Sequence, residues 1–215
     1  MTASLLHPSD QSTQRIILEG VSWKTYLALL KDMGDHRASL LAYDQGILEI
    51  IMPSGLHEII NRLLERMVIA LTEELGMKIK GYGSTTLNRE DLQRGVEPDS
   101  CFYIQNVDRI LGRELDIEID PPPDLAVEVD ITSSSRRRFG IYLQLQIPEV
   151  WRYTQQKGLV IYQLQSDEYV ECELSPTFPK ISGAVLMQFL QRAETEDDNS
   201  VIRSLRQWIR DSVSY

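Results

Sequence analysis

Cysteine, histidine, positive charge and long apolar runs are all scarce in this chain, and each scarcity narrows what it can be. Its two cysteines, Cys101 and Cys172, lie far apart without metal-ligand spacing and read as small buried residues. The three histidines, His7, His36 and His57, form no HExxH pair. There is no GxxxxGK[ST] phosphate loop and no GxSxG nucleophile elbow, which removes two common enzyme signatures. No apolar stretch approaches the roughly 20 residues of a membrane-spanning helix. The N-terminal segment lacks a basic stretch followed by an apolar one, so no secretion signal is expected, and the cytoplasm is the expected compartment. Against 32 acidic residues stand only 22 basic ones, a formal net charge of −10. Proteins that grip nucleic acid through its phosphates usually show a basic face. Any such contact here needs a local patch, and the candidate is Arg136, Arg137 and Arg138.

What is present is ordinary globular material. The 215 residues, 42% of them hydrophobic, suit one packed domain over 15–215 behind a polar tail at 1–14. Ser22 is placed to cap a helix through WKTYLALLKDM, stopped by Gly34. Two β-like runs follow, RASLLAY and ILEIIM, turning at Asp44-Gln45-Gly46. From His57 to Leu75 the apolar residues recur on one helical face. Short strands are expected at MKIKGYG, STTLNR and SCFYIQN, and an interior strand at DLAVEVDI. Ser133 to Ser135 can start a helix through RRRFGIYLQLQI, with Pro148 after it. Three further β-like runs and two helical segments, around AVLMQFLQRA and from Asn199 on, complete an α/β domain with a mixed central sheet flanked by helices.

The chemistry is expected in the carboxylates that stand on strands. Asp99 opens a β-like run directly after Pro98, and Glu128 sits between Val127 and Val129 in an apolar strand. An acid there costs several kcal/mol, on the order of the desolvation of an ion, unless a cation or a salt bridge compensates it. Asp130 shares the face of Glu128 because strand side chains alternate, and Asp124 lies further along the same face.

Val96-Glu97-Pro98-Asp99 followed by Glu128-Val129-Asp130 resembles the Pro-Asp … (Asp/Glu)-x-Lys arrangement of the restriction-endonuclease-like superfamily. The closer resemblance is to the Uma-two family of endonuclease type, often filed as a domain of unknown function. It is carried by GLHEIINRLLERM, VEPDSCFYI, PPDLAVEVDITSSSRRRFGIY and IPEVWRY, in that order. The resemblance implies a restriction-endonuclease-like fold and an endonuclease that hydrolyses phosphodiester bonds in DNA with Mg²⁺ or Mn²⁺. Asp99 and Glu128 would be metal ligands, with the Val129 carbonyl as a third oxygen. Glu58 would be a third carboxylate of the site, or Glu65 if the helix is offset. Relatives with this fold often act as two-fold dimers, and the apolar segment VIRSLRQWI is a candidate contributor to a homodimer.

The chain departs from the pattern at its cation. The superfamily's lysine position holds Asp130, and the closer family's, on the next helix, holds Arg138. Arginine keeps the charge but does not readily give up a proton to activate water. Two rivals to an active DNA endonuclease therefore stand: a catalytically impaired nuclease-fold binding module, and a hydrolase acting on a small phosphorylated ligand. His57 reads as a capping or surface residue, and Tyr142, one turn after Arg138, as a packing residue.

Overall fold

The computed structural model describes residues 13–34, 38–112, 115–132 and 135–213. Local signals explain most of its elements. Strand β1 (Gln14–Glu19) precedes helix α1 (Trp23–Met33), where the Ser22 hydroxyl accepts the Thr25 N–H at 3.1 Å. The Gly34 N–H closes α1 on the Leu30 carbonyl from a left-handed φ of 65°. Strands β2 (Leu40–Asp44) and β3 (Ile47–Met52) form the expected hairpin, with Gln45 and Gly46 both at positive φ, as a tight two-residue turn requires. Ser54 caps α2 (Gly55–Glu74), whose buried stripe includes Leu63, Leu64, Met67, Val68 and Leu71.

The remaining elements are β4 (Lys80–Gly83), β5 (Leu87–Arg89), β6 (Arg94–Val96), β7 (Ser100–Tyr103), α3 (Val107–Ile110), β8 (Leu125–Asp130) and α4 (Arg136–Gln144). They are followed by β9 (Glu149–Thr154), β10 (Gly158–Gln165), β11 (Glu168–Cys172), α5 (Gly183–Arg192) and α6 (Asp198–Val213). The fold is α/β as expected, but the strands form two sheets where one central sheet was expected. The first is antiparallel, in the order β1-β3-β2-β6-β5. The second is mixed, in the order β11-β10-β9-β8-β7-β4. In it β8 and β9 run parallel, with α4 as the crossover that a parallel pair needs.

Alternation along β8 decides what faces what. Leu125, Val127 and Val129 enter the large core with residues of α2, α5 and α6. Ala126 points the other way, into a second core with Ile141 and Tyr142 of α4 and Ala42, Leu87 and Val96 of the first sheet. Glu128 and Asp130 share that second face by register. A third cluster, Trp23, Tyr26, Leu41, Tyr43 and Leu48, seats α1 on the first sheet.

Several expectations need correction. The tail assigned to 1–14 falls mostly outside the described residues, and β1 begins at Gln14. Ser133 and Ser134 also lie outside them; α4 begins at Arg136, after Ser135. The apolar face of α6 is not a free dimer surface, because Val201, Ile202, Leu205 and Ile209 are buried in the chain's own large core. Strand β1 is an edge strand whose Ile16, Ile17 and Leu18 are exposed. Both cysteines are free thiols. Among the described residues no helix is long and apolar enough to cross a membrane.

Candidate functional site

Asp99 and Glu128 are brought together by strand pairing. Ser100 of β7 pairs with Val127 of β8, so Asp99, one residue before β7, lies beside the end of β8 that carries Glu128. Asp99 is held from both sides of the fold. Two residues earlier, buried Glu97 accepts the Leu41 N–H of the first sheet at 2.7 Å and the Thr86 hydroxyl at 2.6 Å. The Asn61 side chain of α2 donates to the Asp99 carbonyl at 3.1 Å. One carboxylate oxygen of Asp99, Oδ2, accepts the Val129 N–H at 2.6 Å and lies 2.9 Å from His57 Nε2. The other, Oδ1, is buried without a hydrogen-bond partner and lies 3.9 Å from Arg138 Nη1.

Glu128 is fully buried, and its environment mirrors that of Asp99. Its Oε1 accepts a hydrogen bond from the Tyr142 hydroxyl. Its Oε2 meets Arg138 Nη2 at 2.7 Å but has no partner in hydrogen-bonding geometry. Each acid is thus fixed through one oxygen and leaves the other facing the same guanidinium. Burial, together with Asp99 and Asp130, pushes the Glu128 carboxyl above the usual carboxylate range, against the pull of Arg138 and Tyr142. Arg138 is 2% exposed; burial disfavours its charge, but Glu128 and Asp99 raise its pKa and hold it protonated. Burial and the neighbouring Glu128 raise the Tyr142 phenol, which keeps it a donor.

The arginine run divides by helical phase: Arg136 and Arg137 are exposed, and Arg138 turns inward. Asp130 has a different occupation from Glu128. It accepts the Ser135 N–H at 3.0 Å and the Ser135 hydroxyl at 2.9 Å, and it takes Arg152 Nε at 2.7 Å. It therefore anchors the start of α4 and supplies the anion that a helix beginning with three arginines lacks. Asp124 is likewise structural, accepting the N–H groups of Ile104 and Asn106. Glu58, with a side chain 48% exposed, lies 3.6 Å from His57 Nδ1, across the ring from Asp99. It lines with Asp99, Asn61, Arg62 and Glu65 a cavity of about 210 Å³. Glu65 accepts the Ser100 hydroxyl at 2.6 Å.

His57 and Tyr142 take parts that the sequence reading did not assign them. Burial works against a charged imidazole at His57, but the hydrogen bond and charge of Asp99 outweigh it and raise the pKa. A signal existed for Tyr142, four residues after Arg138 on one helix face. A lone histidine in a helix's first turn carries no such signal.

Among the described residues no group of three or more His, Cys, Asp or Glu is arranged to hold a metal ion. The donors that fit a hard divalent cation are Asp99 Oδ1 and Glu128 Oε2, both buried carboxylate oxygens without a hydrogen-bond donor. A cation held by both would compete with the Arg138 guanidinium for these oxygens.

Comparison with known proteins bears on the fold and the family. A crystal structure of a "putative nuclease belonging to DUF820" from Anabaena variabilis ATCC 29413 superposes with a TM-score of 0.54 at 15% identity. The match covers 78% of this chain and 98% of that one, a likeness of fold. No curated protein matches the chain. Residues 23–193, which hold Glu58, Asp99, Glu128 and Arg138, match the model of a family described as "Putative restriction endonuclease". The chain belongs to that family, Uma2.

Proposed function

We propose that this protein is a metal-dependent endonuclease that hydrolyses phosphodiester bonds in DNA, with Asp99 and Glu128 as its metal-ligating carboxylates. The observation that carries the reading is the pair of buried oxygens, Asp99 Oδ1 and Glu128 Oε2, that face the same buried cation, the Arg138 guanidinium. Family membership and the nuclease fold support it.

Each residue has a role in that reading. The Val129 N–H and His57 hold Asp99 through Oδ2 and leave Oδ1 for the ion. Tyr142 does the same for Glu128. The Val129 carbonyl and Glu58 are assigned, respectively, as a further oxygen ligand and an acid at the mouth of the site. Mg²⁺ or Mn²⁺, if held there by Asp99 and Glu128, would supply a lowered pKa for water and a positive charge against the phosphate. Arg138 would add its positive charge to stabilise the phosphate from the protein side. Its guanidinium does not serve as the base.

The expected result is Mg²⁺- or Mn²⁺-dependent nicking of plasmid DNA, abolished by Asp99→Ala and by Glu128→Ala. If both variants cut like wild type, or if wild type is inert on every DNA form tried, the reading fails.

One observation favours a second reading. Arg138 already sits 2.7 Å from Glu128, as an internal counter-ion would, which suits a nuclease-fold binding module without turnover. Calorimetric Mn²⁺ binding by an inert wild type, with cutting gained in Arg138→Lys, would identify that case.

A further inference from the structure

The carboxyl ends of β8 and β9 enclose a cleft that the catalytic reading does not use. Open α/β sheets bind ligands where the chain leaves parallel strands and the connections diverge. Beyond β8 the chain passes through Ile131 and Thr132 towards α4; beyond β9 it turns at Gln155 to Lys157 into β10. These two exits line a cleft of about 690 Å³, to which Thr13 and Arg15 at the start of β1 also contribute.

Its lining is mainly basic, in contrast to the molecule as a whole. Arg15, Arg136, Arg152 and Lys157 line it, with Asp130 as the acid among the lining residues. Asp130 is taken up by Ser135 and by Arg152, itself a lining residue. Glu49 pairs with Arg15, and Glu171 with Lys157 at 2.9 Å. The Lys157–Glu171 pair is more than half exposed on both sides, the kind of contact that contributes little and exchanges readily. Threonine hydroxyls and glutamine amides complete a wall suited to phosphate oxygens. The smaller cavity beside His57 differs, because Glu58, Glu65 and Asp99 stand there against Arg62 and His57.

The cleft adjoins the candidate catalytic acids through one side chain. Arg138 Nη2 lies 3.7 Å from Asp130, a lining residue, and Nη1 lies 3.9 Å from Asp99. We infer that this cleft seats the phosphate backbone of a DNA strand and delivers it to the carboxylates. The choice of DNA as occupant rests on the nuclease reading; the anionic character of the ligand rests on the cleft itself.

The test is anisotropy of a labelled DNA oligonucleotide, single-stranded and duplex, with the full chain in EDTA and a salt series. Arg136→Glu/Lys157→Glu, both exposed positions, is compared with Lys24→Glu/Arg203→Glu, which changes net charge equally outside the cleft lining. The cleft pair is expected to weaken binding by about tenfold or more near 50 mM salt and to flatten the salt slope by about 2, roughly 0.9 for each phosphate contact. The control pair should stay within about twofold of wild type. Equal losses from both pairs, or a wild type that binds no DNA at any salt, overturn the inference. Failure of the nuclease reading looks different: DNA then binds through the cleft, yet no metal brings about cutting.

Discussion

Arg138 is the residue on which most depends. Its guanidinium compensates Glu128, Asp99 and Asp130 in a space closed to water. Removing one partner of a buried ion pair typically costs about 3–5 kcal/mol, because an uncompensated charge stays behind. Arg138→Met should lose stability on that scale in urea unfolding without metal. Mn²⁺ should then raise its melting temperature more than it raises that of wild type, since the ion meets the same two carboxylates without competition. A variant that melts like wild type, or gains no more from Mn²⁺, contradicts both the electrostatic account and the shared cation position.

At the scale of elements, the clearest case is the clamp on α6. Glu74, at the end of α2, accepts from Arg210 Nε at 2.7 Å and from Arg206 Nη1 at 3.1 Å. The hydrogen bond from Arg210 foremost holds its carboxyl down at about 2. A depressed acid stabilises fully above its ordinary pKa, and the contribution disappears as pH falls through the folded value. Wild type should therefore lose melting temperature between about pH 4.5 and 2 faster than Glu74→Gln, with the gap between them closing. Parallel curves would show that the clamp does not report on α6. Other elements differ in how plainly the sequence announces them. The caps Ser22 and Ser54 and the Gln45-Gly46 turn are local chemistry, and α1, α2, β2 and β3 follow from them. Strand β6 is Arg-Gly-Val, too short and too polar to show a period, and α3 is a single turn. The division into two sheets depends on which strands pair at long range, which alternation alone does not encode. Asp99, Glu128 and Arg138 stand out by spacing, whereas the contact of His57 with Asp99 exists only once α2 crosses the mixed sheet.

At the scale of the molecule, the two sheets are expected to unfold together. They share one core, in which Ala42, Leu87 and Val96 of the first sheet meet Ala126 and Val150 of the second and Tyr142 of α4. The chain steps from β6 to β7 through Glu97-Pro98-Asp99, so the joint between the sheets is also the segment that carries Asp99 of the candidate site. Trp23 lies in the core of the first sheet and Trp151 in that of the second. Single-tryptophan variants that keep one or the other should report the same urea midpoint, as a two-state transition requires. Separate midpoints would mean that the first sheet opens on its own and takes the support of Asp99 with it.

The exposed edge at β1 has a consequence for handling the protein. Among the described residues its outer row of N–H and C=O groups, beside exposed Ile16, Ile17 and Leu18, faces no strand and is a template for intermolecular strand pairing. Concentrated samples are expected to associate edge to edge, most of all near the isoelectric point, where the repulsion of a net charge of −10 vanishes; light scattering against pH checks this. A lysine in place of Ile17 is the natural gatekeeper for keeping such preparations monodisperse.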